Sequence, residues 1–327
     1  MSDIKELEEK ITAIDIEERT EYLEYLYRLC KAQESYEIKD KYTLEGLLES
    51  IKYVKDIAIE LTEFSIQFAV FSNGENCGLF ADVSTIEWLN SYIPNHISDD
   101  TLMYAMTLIS SPLDAHTIQL HLQHNRELWM QYLKDGGVLG DKNIFVDGYI
   151  EEQGLLSDMY YGVDGGHLSA SYNSCEIIAL YNALYAVNGG VTDPKYDFPE
   201  LIAQIEGRGA CLNGIFGTSP IIIEDYIEDE GYDYKTLEGD DARDEEKLDD
   251  LQSEYDAYIV TVYNNEDKIT KMIHTMCITK VVVDGEMKYI LRNDFEDDTI
   301  PYDSIYDCLE AYNYGDSKTI CIIGIND

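Results

Sequence analysis

Positive charge is scarce in this chain. Its 327 residues carry 23 Lys and Arg against 65 Asp and Glu, a formal net charge of −42. Such a surface repels nucleic-acid phosphates and anionic lipid, so neither is an expected partner. Long apolar runs are missing too, which excludes a membrane-spanning helix of about 18 residues or more. Seven cysteines, an odd number without regular spacing, do not form a disulfide framework. The start, Met1-Ser2-Asp3-Ile4-Lys5-Glu6, lacks the apolar stretch of a signal peptide. A reducing cytoplasm is therefore the expected compartment, with no metal and no cofactor. Proline is rare as well: none precedes Pro94, which suits long helices.

What is present is an ordinary apolar content of 45%, enough to fold despite the charge, and a length sufficient for two cores. A polar, glycine-bearing stretch at 136–166 divides the chain. Residues 1–150 read as a mostly helical domain, with helices expected over 4–31, 45–62, 99–110 and 115–134 and a short strand at 64–71. No catalytic motif stands out there, and its role is open between substrate selection, partner binding and autoinhibition. His121 and His124 share a helix face, but His116 is off that row, so these histidines with Glu127 do not make a zinc site.

Residues 151–327 read as helices first and antiparallel strands later, an α+β domain. Helices are expected over 175–187, 198–206 and from Pro220 to the stop at Gly231, with Ser219 as cap. Strands follow at 257–263, around 274–293 and at 319–325, with a short helix near 304–312. Between Glu224 and Asp256 lie 16 acidic and 3 basic residues. That stretch reads as a solvated, partly helical insertion, without the glycine and alternating ligands of a calcium loop.

One residue focuses the functional reading. Cys175 stands in Tyr172-Asn173-Ser174-Cys175-Glu176-Ile177-Ile178, where a loop turns into a helix. Asn173 reads as its N-cap and Glu176 as the reciprocal capping-box residue. A thiol in the first turn meets unpaired N–H groups and the positive end of the helix dipole, which favour a thiolate. The other cysteines, Cys30, Cys77, Cys211, Cys277, Cys308 and Cys321, read as core.

A thiolate nucleophile needs a base, and the base an orienting group. Two β-rich runs, one opening with His274 and one ending at Asn293, flank Asp284-Gly285, a strong hairpin signal. With a two-residue turn Val283 pairs with Glu286. His274 and Asn293 then share a face with Met276, Ile278, Lys280, Val282, Met287, Tyr289 and Leu291. Thr275, Thr279, Lys288, Arg292 and Asp294 fall on the opposite face, which reads as solvated. A three-residue loop would instead favour Asp294.

The order Cys175, His274, Asn293 resembles that of papain-like cysteine peptidases, and Tyr289-Ile290-Leu291-Arg292-Asn293 is similar to the strand leading into their catalytic asparagine. The helix opening and short domain also resemble double-glycine leader peptidases fused to bacteriocin exporters, whose third member is aspartate and keeps Asp294 as the alternate. The resemblance covers roughly 165–327. It implies a papain-like domain that cleaves a peptide or amide bond through a thioester, with the Cys175 backbone N–H facing the oxyanion; Asn173 is the side chain in this sequence that could stand in as the second donor. The family's glutamine some six residues before the cysteine is absent, and Ser169 stands there. Losing one such donor typically costs about two to three orders of magnitude in rate. The expected substrate is a peptide or protein, basic by charge complementarity. An acyltransferase with the same triad, and a non-catalytic acidic binding module or charge mimic, are the alternatives. Asp164-Gly165-Gly166 further suggests self-cleavage after Gly166.

Overall fold

The computed structural model describes residues 83–139, 142–162, 169–190, 197–264, 273–294, 300–312 and 317–327, with eight helical positions between 57 and 71. The helix expected over 4–31, the start of that over 45–62, Cys30, Cys77 and Asp164-Gly165-Gly166 lie outside them. The chain forms two compact units, Met1–Ile109 and Ser110–Asp327.

In the first unit the described residues from 57 to 71 are helical, not the strand expected at 64–71. Phe64, Phe68 and Phe71 recur every three to four residues and so share one helix face. They meet Trp88 of α1 (Val83–His96), with ring centroids 6.1, 5.9 and 5.0 Å away. Helical spacing that packs three rings against one indole outweighs the strand preference of phenylalanine. Helix α2 (Asp99–Leu108) follows, with Asp99 and Asp100 in its first turn, where acids suit the dipole.

The second unit begins earlier than the expected boundary at 150. Helix α3 (Ala115–Lys134) is capped by Asp114, whose carboxylate accepts from the N–H groups of His116 and Thr117. Its buried Trp129 lies 5.3 Å from the ring of Phe198 and 6.0 Å from that of Tyr181. That aromatic seam ties residues 110–150 to the second unit. Gly136 and Gly137, which suggested a linker, have φ of 70° and 77° and turn the chain out of α3.

The described helices of this unit continue with a single turn α4 (Ala170–Asn173), then α5 (Cys175–Val187), α6 (Phe198–Arg208), α7 (Pro220–Glu230), α8 (Glu245–Glu254) and α9 (Ile305–Tyr312). Ser219 caps α7 through the N–H of Ile221, and Gly231 ends it in the left-handed conformation. Six strands form an antiparallel sheet: β1 (Asp233–Glu238), β2 (Ala257–Tyr263), β3 (Ile273–Val283), β4 (Glu286–Arg292), β5 (Pro301–Tyr302) and β6 (Lys318–Asn326). Their order is β5-β4-β3-β2-β6-β1. Asp284 and Gly285 make the expected two-residue turn, both with positive φ, and Val283 pairs with Glu286.

Both sheet faces are covered. Tyr258, Val260, Val262, Met276, Ile278 and Leu291 pack under Leu248 and Leu251 of α8 and Ile305, Cys308 and Leu309 of α9. Helix α5 packs on β2 and β3. The face expected to be solvated is therefore interior, with Thr275, Thr279 and Arg292 buried, while Val282 and Met287 stand exposed at the hairpin tip. The acidic stretch is likewise no insertion. Its residues form strand β1, paired to β6, and α8, whose Leu248 and Leu251 enter the core while its carboxylates stay outside. Among the described residues no helix is long and apolar enough to cross a membrane.

Gly324 in β6 leaves room for the ring of Tyr255, since a Cβ there would lie 2.8 Å from Tyr255 Cγ. Gly324→Ala is expected to cost about 1–3 kcal/mol by overpacking, read as a lower urea midpoint at unchanged slope.

Candidate functional site

Cys175 is the first residue of α5, and the residue at the N-cap is Ser174, not Asn173. Asn173 is taken up by the α4 turn, so the expected capping box does not form. The Glu176 carboxylate instead accepts from its own N–H and that of Thr218, and from the Cys175 thiol at 3.3 Å. Gly217 makes the space: its φ is +70°, and a Cβ there would sit 2.7 Å from Glu176 Oε1. Burial pushes Glu176 up to about 7.

The Thr275 N–H points at the Cys175 sulfur and favours the thiolate, but burial and then the Glu176 charge push the thiol well above its usual range. The thiolate expected from the helix dipole is thus reversed in the resting site. A small opening reaches this group. Tyr172, Ile215, Phe216 and Ile273 wall it, with Asn173, Cys175 and Glu176 as its polar side. The Asn173 amide nitrogen is buried without a hydrogen-bond partner.

His274 is the second residue of β3, opposite Val262, and is 5% exposed. Its Nε2 lies 2.7 Å from the backbone carbonyl of Asn293. A carbonyl only accepts, so Nε2 carries the hydrogen and Nδ1 the lone pair. Burial pushes the ring down to about 4, which leaves it neutral at pH 7.

His274 and Asn293 therefore meet as expected, but through the backbone. The Asn293 side chain is engaged elsewhere: Nδ2 donates to Gln153 Oε1 at 3.0 Å, and the Gln153 N–H donates to Asn293 Oδ1 at 3.4 Å. The Asn293 N–H donates to Glu151 Oε2 at 2.7 Å. Asp294, the alternate third member, is half-buried, and its charge acts on Glu151 and Cys308.

Cys175 and His274 share one end of β3 but are not hydrogen-bonded to each other. The sulfur lies against the N–H of Thr275, the residue joined to His274, while its own proton is directed to Glu176. By strand alternation the His274 ring follows Met276 and Ile278 toward α8 and α9, 6.4 Å from the ring of Tyr312, whereas α5 covers the other face.

Sequence reasoning missed Glu151 and Gln153 altogether, since nothing near Cys175 or His274 in the chain points to them. It saw Glu176 only as a cap, although an acid directly after a candidate nucleophile was a usable signal. The histidines of α3 have other duties. His121 Nδ1 pairs with the buried Glu206 at 2.7 Å, and His124 Nε2 donates to the Asp158 carbonyl. Among the described residues no group of side chains could hold a metal. No protein-family model, no curated protein and no solved structure matches this chain.

Glu176 yields a signed prediction. Its folded pKa stands above its ordinary 4.5, so the native state holds a proton that the unfolded chain releases. Its contribution to stability falls as pH rises from about 4.5 to 7 and stays lost above. Glu176→Gln should therefore gain on the parent protein by up to about 3 kcal/mol between pH 5 and pH 8. Urea midpoints at the two pH values check it. An equal difference at both would mean the carboxyl is not raised.

Proposed function

We propose that the chain is a thiol-dependent acyl-transfer enzyme of the cysteine peptidase or amidase class. The supporting observation is a helix-opening thiol lodged against the peptide bond that follows His274, in a cleft that also holds the unpaired Asn173 amide. Cys175 is the nucleophile, His274 the base and Asn293 the orienting residue.

Reaction begins when the thiol leaves Glu176. Substrate draws the sulfur and the His274 ring, which lie toward opposite faces at the end of β3 in the resting site, into reach of each other; the thiol proton then passes to His274 Nδ1, and the sulfur forms a bond to the substrate carbonyl carbon. The carbonyl oxygen takes the negative charge, facing the Cys175 N–H and Asn173 Nδ2. The imidazolium returns the proton to the leaving nitrogen as the C–N bond breaks. Water then opens the thioester; an amine in its place would make the protein an acyltransferase. Tyr172, Phe216 and Ile273 suit an apolar side chain beside the scissile bond, and the acidic surface suits a basic peptide.

The hydrogen bond from the thiol to Glu176 favours a second reading, a non-catalytic acidic binding module. Alkylation by a peptidyl epoxide, which enters the cleft as a substrate would and parts the thiol from Glu176, followed by peptide mass mapping separates the two. Fast labelling of Cys175, slowed about tenfold or more in His274→Ala, is expected of the enzyme. A rate unaffected by that substitution would support the binding module.

A further inference from the structure

We infer that Gln153, with Glu151 behind it, is a positioning residue for His274 and acts through the backbone carbonyl of Asn293. The inference rests on the proposed role of His274 and adds what sets the ring. Asn293 follows the last residue of β4 and has φ +62°, a left-handed conformation that asparagine adopts more readily than most side-chain-bearing residues. In that conformation its carbonyl reaches His274 Nε2 at 2.7 Å.

Three hydrogen bonds support it. Gln153 makes two of them, closing a ring with the Asn293 amide, and both residues are buried. Glu151 makes the third, to the Asn293 N–H. Glu151 is itself braced by Arg292, whose Nη1 donates to it at 2.7 Å and whose Nε donates to Thr279 at 3.1 Å. The guanidinium lies 4.1 Å above the ring of Tyr149. Segment 149–153 thus clamps the strand end that bears the carbonyl.

The chemical consequence is specific. The Asn293 amide is consumed by Gln153, so the group that orients the imidazole is a peptide carbonyl. It selects the Nε2–H form of the ring and leaves Nδ1 as the base. Removing the Gln153 acceptor releases the Asn293 amide, frees the carbonyl to rotate and mixes the two neutral ring forms.

The test uses the full chain with ¹⁵N-labelled histidine. The parent protein should give the His274 pattern of a single Nε2–H tautomer. Gln153→Met, which fills similar space without an acceptor, should show both tautomers and about tenfold slower Cys175 alkylation, the scale of lost outer-shell support. Gln153→Glu, which restores an acceptor for Asn293 Nδ2, should recover the single tautomer and most of the rate. If Gln153→Met does not fold, Glu151→Gln replaces it, with a smaller shift in the same direction expected. An unchanged tautomer and rate in a folded variant overturns the inference. If the tautomer shifts as expected but Cys175 of the parent protein resists alkylation, the clamp stands and the enzyme reading falls.

Discussion

Helix α5 is interior over its first ten residues, with every side chain from Cys175 to Leu184 buried. Most of the second unit is arranged around that burial. The sheet supplies one wall through β2 and β3, and α3 and α6 supply aromatic cover through Trp129 and Phe198. A helix so enclosed carries its polar first turn inside with it. Cys175 and Glu176 are thus desolvated together, and the low dielectric that would strengthen a catalytic charge also keeps the thiol proton in place. The helix dipole and the Thr275 N–H act in the opposite sense and do not prevail.

The same packing shows why some features were legible in the chain and others were not. The hairpin register followed from Asp284-Gly285 alone, because turn length fixes pairing locally. The ends of α7 followed from Ser219-Pro220 and Gly231 for the same reason. The interior face of Thr275, Thr279 and Arg292 did not. Polar residues at alternate positions suggest solvent, and it is the three-dimensional placement of α5, with Tyr149 and Glu151 beside it, that turns that face inward. The pairing of His274 with Asn293 was legible, but the use of a carbonyl in place of the side-chain amide was not. That choice depends on the φ of one residue and on Gln153, 140 residues distant in sequence.

The acidic character also takes a clearer form. Between Glu224 and Asp256 the acids are spread over the outer sides of α7, β1 and α8, each of which puts apolar residues into the core. Charge and fold coexist because the two occupy different faces of the same elements. Glu224 in that stretch is half-buried and, like the fully buried Glu176 of α5, raised to about 7. Each therefore ties folding to proton uptake, whereas the surface acids govern solubility and encounter.

The contact between the Cys175 sulfur and the Glu176 carboxylate bears on chemical durability. Peroxides attack the thiolate, and the sulfenic, sulfinic and sulfonic acids follow in that order from it. A sulfur kept protonated and 7% exposed presents little of the reactive form. Held against that neighbour, this cysteine is expected to weather oxidants that would spoil an open one.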